Sequence, residues 1–231
     1  MKIDLNADFG EGIQLNGQSA DELIIPYITS ANIACGFHAG DESTMRHAIA
    51  RCIKHNVNIG AHPSYDDRAN FGRIETNATP EQIYTLTTIQ LTTLQRLCHE
   101  QNVELHHIKP HGALYHRLIH DTAAAEAFLR AVDAVQPNAK ITAFPNSELL
   151  RLAGARGQRE AFIDRTYTAD GQLTPRTEAG AVISDPDRAA QQGLMFVQQQ
   201  RADTLCIHGD SPKAIEIASV TYALLLREGA L

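Results

Sequence analysis

Two spacings of apolar residues alternate along the chain. Short apolar runs stop abruptly at glycine, proline, histidine or an acid, and between them apolar residues recur three and four positions apart. The runs read as buried strands and the wider spacing as helices with one packed face. Strands are predicted to start near residues 2, 30, 58, 105, 140, 160 and 204, the first beginning at Met1 to Leu5. A first helix is expected over residues 21–28. A second is capped by Asp41, packs on Met45, Ala48, Ile49, Cys52 and Ile53, and ends at Asn56. Thr79-Pro80-Glu81-Gln82 opens a long helix packing on Ile83, Leu86, Leu94, Leu97 and Cys98, with its threonines and glutamines toward solvent. Later starts fall at Asp121, Asn146, Asp185-Pro186 and Ser211-Pro212, the last with a stripe of Ile215, Ala218, Tyr222, Leu225 and Leu226.

Regular strand and helix alternation means a parallel sheet. Polar residues mark strand ends throughout the chain, not at one switch point, which favours closure over an open sheet. The expectation is an α/β fold, a distorted seven-stranded (β/α) barrel, with residues 1–231 as one domain. The run Ser30 to Asp41 shows the pattern most clearly: a small apolar strand turns at Gly36 and Gly40 and delivers His38 and Asp41 toward one rim.

Composition narrows the partners. A net charge of -7 argues against nucleic acid and anionic membranes, and no apolar run is long enough to span a bilayer. The strand-like start leaves no room for a signal peptide, so a cytoplasmic location is expected. Four cysteines without CxxC spacing read as reduced, buried thiols. Cys35 beside His38 has a nucleophilic reading and a packing one, and its apolar strand favours packing.

If the barrel closes, one rim gathers Asp8, Glu11, His38, Asp41, His62, Lys109, His111, Asp164, Arg165, His208 and Asp210. Asp41 and Asp210 have an alternative as helix caps, and His106 and His107 as structural polar groups. Joint placement of so many ionisable groups points to a site, since stability gives no reason to collect them. The Asp and His residues suit a water-activating divalent metal, but no compact motif such as HExxH names a ligand set, and the metal stays unknown. Glycoside cleavage fits less well, because Lys109 and the histidines would have no part in it. Residues 12–19 have Walker A spacing with Gln18 in place of the lysine, which removes the phosphate-neutralising cation. Were ATP bound, Lys109, Arg73 and Arg165 are better phosphate partners, with Asp8 or Asp210 for Mg2+. The irregular segment 168–181 is a further candidate for function.

Several separated blocks carry a family resemblance. They are Asp4-Leu5-Asn6 with Asp8 and Gly10-Glu11; Thr29 through Asp41; Gly60-Ala61-His62-Pro63; Lys109 through Tyr115; Asp164-Arg165; Tyr167 with Asp170-Gly171; and His208-Gly209-Asp210. In these the chain resembles the LamB/YcsF family, identified with one component, the A subunit, of the bacterial ATP-dependent 5-oxoprolinase. The resemblance implies a barrel of the glycoside hydrolase/deacetylase type. It also implies opening of the 5-oxo-L-proline lactam to L-glutamate with ATP and companion subunits B and C. On that basis Asp8, His38, His62, Lys109 and His111 are the expected catalytic residues. Asn6, Glu11, Asn32, Asp41, Arg73, Asp164, Arg165, Tyr167, His208 and Asp210 are expected to bind substrate or nucleotide. Lys109 and Arg165 would stabilise phosphate charge, Asp8 or His38 would activate water, and His62, His111 and His208 would donate protons or anchor substrate. Two alternatives remain open at this point: a scaffold subunit of that complex, and a metal-dependent amidase or deacetylase. Many relatives have cysteine where this chain has Ala7, and about ten more residues before the last strand.

Overall fold

The computed structural model describes residues 2–211 and 213–231, so Met1 and Pro212, named above in the first strand and the last helix start, lie outside the described residues. Seven parallel strands close into a barrel: β1 (Asp4–Phe9), β4 (Ser30–Ala34), β5 (Asn58–His62), β6 (His107–Ile108), β7 (Lys140–Ala143), β8 (Gly157–Phe162) and β9 (Thr204–Ile207), with β9 pairing back onto β1. Eight helices flank it: α1 (Ala20–Ile24), α2 (Glu42–His55), α3 (Pro80–Glu100), α4 (Gly112–His120), α5 (Thr122–Val135), α6 (Glu148–Ala153), α7 (Pro186–Gln198) and α8 (Ala214–Arg227). The expected seven-stranded architecture is what forms.

An element beyond this plan is an antiparallel hairpin of β2 (Gln14–Leu15) and β3 (Gln18–Ser19). Its turn, Asn16-Gly17, has both φ angles positive at 51° and 81°, as a tight hairpin turn requires. The Walker-like spacing is therefore that of a hairpin.

Alternation along the strands sorts side chains by face. Leu5, Ala7, Phe9, Ala31, Ile33, Ile59, Ala61 and Ile108 pack outward into one continuous apolar shell with the helices. The opposite positions fill the barrel with hydrogen-bonding groups. Thr204 Oγ1 donates to Asp4 (2.5 Å), Asn6 Nδ2 donates to Thr204 Oγ1 (2.7 Å), Asn32 Nδ2 donates to Asn6 Oδ1 (2.7 Å), and the His107 ring donates to Asn32 Oδ1 (2.8 Å). His107 thus has the structural role. Its ring lies so close to Gly60 that a methyl there would overlap it.

Most helix starts follow the expected signals; α4 is not among the expected helices, and α8 begins at Ala214 behind Lys213, with no side-chain cap from Ser211. Asp41, Asp121 and Asp185 cap α2, α5 and α7, and Thr79 with Gln82 forms a capping box on α3. Ser147, one residue after Asn146, caps α6. Three faces differ from the expected ones. Ile53 is 44% exposed, because the eighth position from Met45 has rotated off the packed face of α2. On α3, Thr87 and Gln90 are buried, Gln90 bonding both backbone groups of Ser64. On α8 the buried face is Ala214, Ile217, Ala218, Thr221, Leu224 and Leu225, leaving Leu226 56% exposed. Thr221 approaches Gly193 of α7 there, so small residues set the packed side.

Candidate active site

The C-terminal strand ends open onto a cavity of about 380 Å³. Its floor comes from β1, β5 and the turn after β6, which deliver Asp8, His62, Lys109 and His111. Lys109 is 2% exposed, with Nζ 3.1 Å from Asp8 Oδ1 and 2.9 Å from Glu160 Oε1. Toward Glu160 the contact is an ion pair, and neither Glu160 oxygen has a hydrogen-bond partner among the described residues. The ammonium also contacts Cys206 Sγ at 3.1 Å. Burial would lower the Lys109 pKa, but Asp8, Cys206 and Glu160 outweigh it and hold the amine firmly protonated. Burial would likewise raise the Asp8 carboxyl, yet Lys109 and His62 hold it well below the usual carboxylate range.

The imidazoles form a second group beside this pair. His62 Nε2 is 3.3 Å from Asp8 Oδ1 and 3.0 Å from His111 Nδ1. The His38 ring stacks on His111 with centroids 3.8 Å apart, and its Nε2 is 3.2 Å from Glu11 Oε1. Burial, with neighbouring histidines, pushes His111 down to about 3 and His38 lower still, so both rings are neutral at pH 7. His38 does not line the cavity, so its expected part as the base on a substrate water becomes that of a prop behind His111 and Glu11. Burial and the Asp8 charge push Glu11 well above the usual range.

At the mouth, Arg73 and Arg176 share Asp210, at 2.5 and 3.5 Å. Arg165 lines the cavity, while its guanidinium donates to the carbonyls of Thr174 (2.5 Å) and Ala181 (3.3 Å). It therefore pins residues 173–177, which form one wall. His208 lines the opposite side and stacks on Phe162, with Nδ1 3.0 Å from the buried Asp164. Burial would raise Asp164, but His208 and the Ser211 hydroxyl lower it, keeping it ionised.

Not every expected residue reaches the cavity. Asp41 is exposed and spends its carboxylate on Thr44 of α2, so it is a cap and not a ligand group. The Tyr167 hydroxyl accepts from the Phe162 amide at 2.7 Å and supports the wall from behind. Asn6 and Asn32 lie beneath the floor, where Asn32 also donates to Asp8 Oδ1 at 3.0 Å. Glu160, Tyr115, His116, Phe162 and Arg176 are site residues that the strand-end reading missed. Period-2 alternation from Phe162 would have turned Glu160 inward, the one signal for it in the sequence. Cys35 bonds the Ile33 carbonyl, and burial pushes its thiol up to about 12, so it packs.

The LamB/YcsF family model matches residues 3–230. The chain belongs to the LamB/YcsF family. It is 43% identical over 244 residues to the 5-oxoprolinase A subunit of Geobacillus kaustophilus (strain HTA426), covering 98% of this chain and 94% of that one. Identity is also 43%, over 242 residues, to the 5-oxoprolinase A subunit of Bordetella pertussis, covering 98% and 96%. The solved lactam utilization protein from Thermus thermophilus superposes with a TM-score of 0.91 at 38% identity, over 99% of this chain and 98% of that one. In this LamB/YcsF chain Ala7 is wholly buried between Asn6 and Asp8 on the outward face of β1, so the side chain there packs and does not meet substrate. Among the described residues, no helix is long and apolar enough to cross a membrane.

Proposed function

We propose that this chain is the A subunit of a cytoplasmic 5-oxoprolinase and supplies the pocket in which the lactam of 5-oxo-L-proline is opened to L-glutamate. Subunits B and C are the partners, and ATP with Mg2+ is the co-substrate. The observation that carries this reading is a buried lysine–carboxylate floor facing a cavity, in a chain 43% identical over nearly its whole length to proteins named as the A subunit of 5-oxoprolinase.

The cavity is at the lower end of the roughly 300–1,000 Å³ of small-molecule sites, which suits a five-membered ring and its carboxylate better than a whole nucleotide. Only the terminal phosphate of ATP would reach it, past the arginines at the mouth. The γ-phosphoryl group passes to the lactam oxygen and ADP leaves. Water then adds to the activated carbon, the C–N bond breaks as the nitrogen takes a proton, and a second water hydrolyses the acyl phosphate to glutamate and phosphate. Lys109, cationic throughout, faces the oxygen on which negative charge gathers. Asp8, His62 and His111 face the position of the attacking water, and His208, oriented by Asp164, is the group placed to give the nitrogen its proton.

The test is glutamate and ADP production from 5-oxo-L-proline by this chain with subunits B and C, omitting each component in turn. Turnover only with all three and ATP is expected. Turnover by this chain without ATP would replace the reading with an amidase, and turnover by B and C alone would remove the chain from the reaction.

A further inference from the structure

Hydrogen bonds at the cavity floor fix which ring nitrogens carry protons. Nδ1 of His62 lies 2.8 Å from the Lys109 carbonyl, and Nε2 of His111 lies 2.8 Å from the Phe71 carbonyl. A carbonyl only accepts, so these two nitrogens hold the N–H of their rings. His111 is neutral, so its Nδ1 is a lone pair, and it faces His62 Nε2 at 3.0 Å. Asp8 Oδ1 lies 3.3 Å from His62 Nε2 and Glu11 Oε1 3.9 Å from His111 Nδ1. Four potential ligand atoms, all within 4.8 Å of one another, thus converge on one point of the floor. Among the described residues the Lys109 and Asn32 side chains hydrogen-bond Asp8 but none of the other three. Asp8 and Glu160, 6% and 0% exposed, already share the Lys109 ammonium, and Glu11, 4% exposed, meets only the imidazoles of His38 and His111 among the described residues.

From this convergence we infer a divalent-cation site whose ligands are Asp8, Glu11, His62 and His111. Donors about 2.0–2.2 Å from a tetrahedral metal lie about 3.3–3.6 Å apart, and the observed 3.0, 3.3 and 3.9 Å bracket that edge. Each ligating histidine already donates its second ring nitrogen to a backbone carbonyl, the outer contact that fixes tautomer and orientation in metal sites. His38 steadies Glu11 from behind, with a buried Nδ1 that has no partner. Two imidazoles and two carboxylates favour Zn2+, Co2+ or Mn2+ over Ca2+. The four residues come from three separate segments, the end of β1 with the turn after it, the last residue of β5 and the turn after β6, which is why no compact motif announces them. When bound, such an ion lowers the pKa of water and polarises a carbonyl oxygen. The role of the site rests on the lactam reading above; its existence does not.

The test is titration of the chelator-stripped, full-length chain with Co2+, followed by calorimetry and visible absorption. One equivalent per chain is expected, with the bands of a low-coordinate ion, displaced by one equivalent of Zn2+. His62→Gln and His111→Gln should each weaken binding by more than the roughly 10–100-fold that loss of an outer contact costs, with circular dichroism confirming the fold. If either variant fails to fold, Glu11→Gln supplies the same comparison. Absence of stoichiometric binding in the wild-type chain, or undiminished binding in the folded variants, overturns the site. A complex that turns over after stripping would overturn its catalytic part and leave the lactam reading intact; stoichiometric loading with no lactam turnover would support the site and overturn that reading.

Discussion

Lys109 is the residue on which the buried charges depend, because its ammonium neutralises Asp8 and Glu160 at once. Replacing it by methionine keeps the volume and takes the cation away from both Asp8 and Glu160 in the interior. Breaking such a pair from one side costs about 3–5 kcal/mol, so Lys109→Met should lower the urea midpoint accordingly as well as abolish turnover. Gly60 makes a steric prediction. An alanine methyl would overlap the His107 ring, so Gly60→Ala should destabilise the fold by about 1–3 kcal/mol in denaturant titration. Asp21 gives a pH signature away from the cavity. Burial pushes its carboxyl from 3.8 up to about 6, although it accepts the Gly10 amide hydrogen. A raised acid favours the folded state below its unfolded pKa, and that contribution is lost as pH rises through the folded one. Asp21→Asn should therefore match wild type below about pH 4 and gain on the order of 1–3 kcal/mol above pH 6, since each pKa unit is worth about 1.4 kcal/mol. Thermal unfolding across that range checks it. At this scale Asp8, His62, Lys109 and His111 were legible because each follows an apolar run that breaks at glycine or proline. Asp41 was over-read, since a helix cap and a ligand have the same residue type at the same place. Glu160 was missed because a glutamate inside a strand normally marks a solvent face, and its one signal, alternation with Phe162, points inward only when the barrel interior is polar.

At the scale of elements, caps and turns carry their signals locally and packed faces do not. Thr79 and Gln82 close α3 by contacts three residues apart, which sequence shows directly. The buried side of that helix depends on what lies across from it. Gln90 turns inward because the Ser64 amide and carbonyl, beyond the end of β5, need partners there. Gln90→Leu should cost about 1–3 kcal/mol by leaving both groups unpaired, read as a fall in the thermal midpoint. The same reasoning explains α8, whose packed face follows the small residues that admit α7 and not its largest apolar side chains. The segment 168–181 stands out in the sequence by its length, and residues 173–177 within it become a cavity wall because Arg165 holds the segment through two carbonyls.

For the whole molecule, alternation of short apolar runs with helical spacing was enough to give a closed parallel barrel of seven strands. The polar interior was not legible, because a strand that packs helices outside and hydrogen bonds inside looks like any half-exposed strand. That interior makes the site possible. It holds Asn6, Asn32 and His107 in one hydrogen-bonded stack beneath Asp8 and Lys109, so the floor is set before substrate arrives. The central claim is that this floor takes part in opening the lactam. It is tested most directly by glutamate release from 5-oxo-L-proline and ATP in the assembled complex with subunits B and C, comparing wild type with Asp8→Asn. The substitution preserves shape and removes the charge that Lys109, His62 and Asn32 converge on. Loss of turnover in a complex that still assembles is the predicted result. Undiminished turnover would contradict the account and leave this chain a scaffold for chemistry done elsewhere.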